Sequence, residues 1–175
     1  MKTIKIGDKE YTLEFTFEAA ECKGLVQSMF NVLSGAYILR NVAGAVGGTL
    51  SKEEENTTTF RCMIDGSSEM IADIPHICRI GFYAGLLENN EVSEDEAKEL
   101  MKQYMKENKI SFHGMYELLK QCMEDDGFFD LSGLTEMIQK MNEQMESSEE
   151  ENVVEENAKA ENKKVPKQKS QTSTK

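Results

Sequence analysis

The stretch Phe60–Leu87, FRCMIDGSSEMIADIPHICRIGFYAGLL, decides the fold class. Its apolar residues fall at 60, 63, 64, 70, 71, 74, 77, 78, 82, 86 and 87, steps of three and four that lay a stripe along a helix. The stripe passes Pro75 almost in phase. Proline lacks an amide proton and crowds the preceding turn, so Pro75 predicts a kink or the start of a second half. A helix this long needs other helices to cover it, which points to a mainly α-helical domain.

The flanking sequence supplies them. Ser93-Glu94-Asp95-Glu96 is a capping box, in which hydroxyl and carboxylate satisfy each other's free amides, and it predicts a helix over 94–108. A further helix starts after Ser111, with Phe112, Met115, Tyr116, Leu119 and Met123 on one side and Gly127 placed for a left-handed cap. Leu131, Leu134, Met137, Ile138, Met141 and Met145 mark a last amphipathic helix. Upstream, Ile4 and Ile6, the turn pair Gly7-Asp8, then Tyr11, Leu13 and Phe15 alternate as a small N-terminal β-hairpin. Thr16 is placed to cap one helix carrying Phe17, Ala20, Gly24, Leu25, Met29, Val32 and Leu33, stopped by Gly35. Ala36–Val46 predicts a short buried helix, and the Thr-rich stretch Ser51–Thr59 a mobile loop.

The 175 residues hold 20 Lys or Arg and 32 Asp or Glu, a formal net charge of −12. Residues 146–175 contain no aromatic residue and no Leu, Ile, Met or Cys, so they cannot offset the entropy of ordering. The expected layout is a compact helical domain over 1–145 and a disordered, charged C-terminal tail over 146–175. The first part alone has 14 basic and 25 acidic residues. An acidic surface repels phosphate backbones and anionic lipid, so neither nucleic acid nor membrane is expected as a partner. The N-terminus lacks an uninterrupted apolar run, which suggests a cytoplasmic protein.

No catalytic signature stands out. Gly44-Ala45-Val46-Gly47-Gly48-Thr49 lacks both the order and the lysine of a phosphate loop, and reads as a hinge. Cys22, Cys62, Cys78 and Cys122 have no CxxC spacing and suit reduced, buried thiols. His76 and Cys78 would point apart on a helix, so no metal or cofactor is expected. An enzyme would have to assemble its site from distant residues such as His76, Cys78, His113 and Glu117. The 11 methionines concentrate in the second half and fit either a loosely packed core or an adaptable surface for apolar partners.

The segments IKIGDKEYTLEFTFEAAE and FYAGLLENN, with the polar charged tail, resemble tail assembly chaperones of long-tailed phages and prophages of Gram-positive bacteria. The resemblance implies a non-enzymatic factor that binds the tape measure protein, keeps it soluble and assists tail tube polymerisation, then is absent from the mature virion. It also implies contact with the tail tube protein through a longer, frameshifted form. Tyr83, Leu86, Leu87, Tyr104, Met105, Met137, Met141 and Met145 are the candidate partner-binding face. An exposed helix stripe would serve self-association equally well. The alternative is an acidic DNA mimic that inhibits a DNA-binding enzyme.

Overall fold

The computed structural model describes residues 1–45 and 52–145. The chain divides into a unit over Met1–Ile138 and a second over Gln139–Lys175. The fold is mainly α with a two-stranded N-terminal hairpin. The expectations for residues 46–51 and for the tail over 146–175 lie outside the described residues.

Strands β1 (Lys2–Ile6) and β2 (Lys9–Leu13) pair antiparallel, Ile4 opposite Tyr11 and Lys5 opposite Glu10. Gly7 has φ +59, the left-handed geometry that a two-residue turn needs. Ile4, Ile6, Leu13 and Phe15 are buried on one side, as the alternation predicts. Two strands are marginal alone, and helices cover them. Next come α1 (Phe17–Glu21), α2 (Lys23–Leu33), α3 (Ala36–Ala45), α4 (Lys52–Leu87), α5 (Glu94–Asn108), α6 (Phe112–Asp125) and α7 (Phe128–Leu131). Residues 134–138 are helical, and so are 139–145 of the second unit.

The C-terminal half of α4 is the centre of the fold. It contributes Ile74, Ile77, Cys78, Phe82, Ala84 and Leu86 to a core shared with the hairpin, α1, α2, α5, α6 and Phe128. At its end the Gly85 carbonyl accepts from the Glu14 amide at 2.8 Å. Gly85 also leaves room for Phe15, whose ring tip would lie 2.7 Å from a Cβ there. Asn90 donates to the Thr12 and Leu86 carbonyls, both at 3.0 Å, tying β2 to the same end. The Phe15 amide donates at 2.9 Å to Asp126, the C-cap of α6. Hairpin, central helix and α6 are thereby joined by directional bonds as well as by apolar burial.

Four sequence expectations need correction. The helix predicted after Thr16 is two helices: Cys22 has ψ 89, so α1 ends and α2 begins there. The stripe therefore loses phase, and Phe17 is 70% exposed. Thr16 precedes α1 but its side chain makes no capping hydrogen bond. Residues 52–59, expected as loop, are the first turns of α4, and the helix continues through Pro75 without a break. Gly35 and Gly127 do adopt positive φ, +67 and +71, at the helix ends where they were expected.

Candidate functional site

Helices α5 and α6 follow one another in the chain, each packed on α4, and the sequence logic of each is local. Ser93 Oγ accepts from the Glu96 amide at 3.3 Å while Glu96 accepts from the Ser93 amide at 2.9 Å, completing the capping box at the start of α5. The Ser93 amide, and after it the Ser93 hydroxyl donating at 2.8 Å, hold the Glu96 carboxyl below its ordinary value of 4.5. Ala97 and Met101 are buried on the core side. The other side carries Lys98, Lys102 and Lys106 at intervals of four, then Lys109 three residues on. That spacing places Lys98, Lys102 and Lys106 along one flank of the helix over about 12 Å, interspersed with Asp95 and Glu99, and Lys109 follows at the cap. Lys102 pairs with Glu99 at 2.6 Å. Among the described residues, Lys98, Lys106 and Lys109 form no ion pair.

Lys109 ends α5 in the left-handed region, φ 54, with its amide bonded to the Met105 carbonyl. A non-glycine residue there is uncommon, and it turns the chain abruptly. Only Lys109, Ile110 and Ser111 separate the helices, and Ser111 Oγ caps α6 by accepting from the Gly114 amide at 3.2 Å. Met115, Leu119, Cys122 and Met123 anchor α6 in the core, leaving Phe112, His113, Glu117 and Gln121 exposed. The two helices are joined by a three-residue turn and each packs mainly on α4; α5 carries five carboxylates and three lysines, with Lys109 as its cap, and α6 turns its first residues to solvent.

The residues nominated as a partner-binding face differ in exposure. Leu86 is fully buried in the core, and Tyr83, Tyr104 and Met105 are partly buried against it. Burial pushes the Tyr104 phenol up. Leu87 is half-buried, and Met137 is 57% exposed. Met141 and Met145 belong to the second unit, half-buried and exposed respectively. Met29, Met101, Met115 and Met123 are core residues, so much of the methionine signal is packing.

The residues considered for chemistry are equally dispersed in role. Cys78 donates to the Phe112 carbonyl at 3.3 Å, and burial pushes its thiol up to about 12, the opposite of an activated nucleophile. His76 is exposed and meets only the Arg79 guanidinium at 3.3 Å, while His113 and Glu117 face solvent on α6. Among the described residues no cluster of His, Cys, Asp and Glu is arranged to hold a metal. A cleft between the hairpin and α5 is lined by Glu10, Glu91, Asp95, Glu96 and Glu99, which repel anions. A second groove, about 550 Å³, lies between α2 and residues 132–137 and is lined by Val26, Phe30, Leu134 and Met137.

The family model described as Mu DNA binding, I gamma subdomain, matches residues 83–171. Its span takes in the end of α4 and all of α5, α6 and α7, and the part beyond residue 145 lies outside the described residues. Neither the curated proteins nor the solved structures contain a match.

This match overturns the likeness to tail assembly chaperones, and with it the tape measure protein and the tail tube protein as partners. It also displaces the DNA mimic and the exclusion of nucleic acid. The reasons are physical. Two short strings and an overall helical layout describe how a chain packs, not what it holds. Net charge is a sum over the molecule, and it conceals a local row of four lysines. The lysines at 98, 102, 106 and 109 were visible in the sequence, interspersed with acidic residues.

Proposed function

Because the chain belongs to the Mu DNA-binding I gamma subdomain family, we propose that it binds duplex DNA through α5 and α6. The reading rests on the match itself, whose span contains α5 and α6 joined by a three-residue turn, the connectivity of a helix-turn-helix. In the usual docking of such a motif the first helix crosses the phosphate backbone and the second enters the major groove. Here α5 brings Lys98, Lys102, Lys106 and Lys109 to the phosphates. The first turns of α6 bring His113 and Glu117, with Phe112 beside them, to base edges. A glutamate accepts from the cytosine amino group, and an exposed phenylalanine packs on a thymine methyl. The role is binding without catalysis, carried out in the cytoplasm.

The acidic remainder sets the character of the complex. With a net charge of −12, the molecule is repelled by DNA at long range, so binding depends on the few lysines that touch phosphate. Two to four such contacts give a salt slope of roughly −2 to −4, a loss of about 10- to 150-fold between 50 and 200 mM salt. Fluorescence anisotropy with a labelled 30-base-pair duplex reads this directly. Lys106→Glu/Lys109→Glu is expected to weaken binding at least tenfold and flatten the slope by about two. No binding at 50 mM salt with ~100 µM protein, or a double variant that binds like the parent, overturns the proposal.

A further inference from the structure

Among the described residues, the N-terminal half of α4 packs against α3 through Cys62 and Gly66. There α3 lies against Gly66, where a Cβ would sit 2.7 Å from Ile38 Cα, and Cys62 is buried alongside. Away from that contact, Phe60, Ile64 and Ile71 are 64%, 53% and 63% exposed, with Met63 at 47% beside them. Ser67, Ser68, Ala72 and Pro75 complete the exposed face. Phe60, Ile64, Ser67, Ser68, Ile71 and Pro75 form a stripe with no charged side chain in it, although 30% of the chain is charged. Ser67 Oγ already donates to the Met63 carbonyl at 2.7 Å, so it can be covered without stranding a donor.

The order of these residues is symmetric about the Ser67–Ser68 bond. Reversing the helix places Phe60 opposite Pro75, Met63 opposite Ala72, Ile64 opposite Ile71 and Ser67 opposite Ser68. Each bulky residue meets a smaller or equal one, and the two serines allow close approach at the centre. A two-fold interface requires this self-complementarity, since the same patch supplies both sides. We propose that a second copy of this chain pairs with the stripe, α4 against α4 in antiparallel orientation.

The four large apolar side chains expose roughly 400 Å² per copy, about half of what a standard stable interface buries on each partner. The dimer is therefore reversible and concentration-dependent. Residues 146–175 offer three valines, two alanines and one proline as apolar cover, too little to seal the stripe from within that segment.

Sedimentation equilibrium of the full chain without DNA tests the pairing independently of the proposed function. The expected species has twice the 19.8 kDa chain mass at high concentration and dissociates on dilution. Ile64→Glu places a carboxylate opposite Ile71 of the other copy and is expected to weaken association at least tenfold. Because Ile64 is exposed, circular dichroism should show the helix content retained. Ile71→Lys alone gives the same loss and serves if the first variant misfolds. Ile64→Glu/Ile71→Lys restores association in the antiparallel register, where each glutamate meets a lysine, and not in a parallel one. A monomer throughout, a dimer indifferent to both single variants, or no rescue in the double variant overturns the inference.

Discussion

Replacing Gly66 by alanine tests how α3 is held. The new Cβ would lie 2.7 Å from Ile38 Cα, 2.8 Å from the Tyr37 carbonyl oxygen and 2.9 Å from the Ile38 nitrogen. All three are backbone atoms, so no side chain can swing aside. Ordinary carbon contacts are about 3.5–4.0 Å, so α3 must withdraw by about 1 Å. Overpacking of this kind costs roughly 1–3 kcal/mol, and the withdrawal strains the 2.5 Å bond from the Tyr37 hydroxyl to Asp73. Against this, alanine favours a helix over glycine by about 1 kcal/mol. The net expectation is a loss of about 1 kcal/mol, or roughly 2–4 °C in Tm for a chain of this size.

Gly114→Ala is the matched control. It makes the same chemical change in α6, but its Cβ would meet Ile110 Cβ and Ser111 Oγ at 3.7 Å, ordinary contacts. There the propensity gain stands alone, about 0.5–1 kcal/mol of stabilisation. Urea denaturation of both variants with far-ultraviolet circular dichroism gives the comparison. If Gly66→Ala is as stable as the parent while Gly114→Ala is more stable, the close α3–α4 crossing is refuted.

Asp126→Ala leaves the Phe15 amide without its acceptor and removes a charge-assisted bond, so a loss of about 2 kcal/mol is expected in the same assay. Asp126→Asn should recover part of it, because the amide oxygen still accepts, and equal behaviour of parent and alanine variant would contradict the bond. Glu96, Glu99 and Glu107 all have carboxyls held below the ordinary 4.5, by the Ser93 amide, by Lys102 and by the Gln103 side chain respectively. Folding favours their ionised forms, so their contribution is complete above pH 4.5 and disappears as pH falls through the lower folded values. Urea midpoints from pH 6 to 3 should fall less steeply in Glu96→Gln/Glu107→Gln than in the parent, and identical pH profiles would count against these bonds.

Much of the architecture follows from local chemistry that a sequence displays. The hairpin is legible because Gly7 tolerates φ +59 and the alternating residues share one face. The start of α5 is legible because Ser93 and Glu96 satisfy each other within four residues. The break at Cys22 is not, since neither glycine nor proline marks it and tertiary packing sets the direction of α2. Residues 52–59 misled because their threonines suit loops, although a helix already built downstream can extend over weak formers. The lysine row over 98–109 was within reach but was averaged into a total charge. The candidate apolar face was least legible. Periodicity marks which residues are greasy and not which side of a helix is covered, so Leu86 was nominated though fully buried.

The 36 residues of α4 span about 54 Å, yet their attachments are unequal. From Ile74 onward the helix belongs to the main core, whereas among the described residues before it the close packing is against α3. One uninterrupted rod thus carries two levels of protection. Its later amides should resist deuterium until the whole unit opens, while its earlier ones exchange through local fraying that leaves the rest intact. Pro75 sits at the boundary, where the missing amide already interrupts the ladder, so the helix has a natural point at which to come apart in halves.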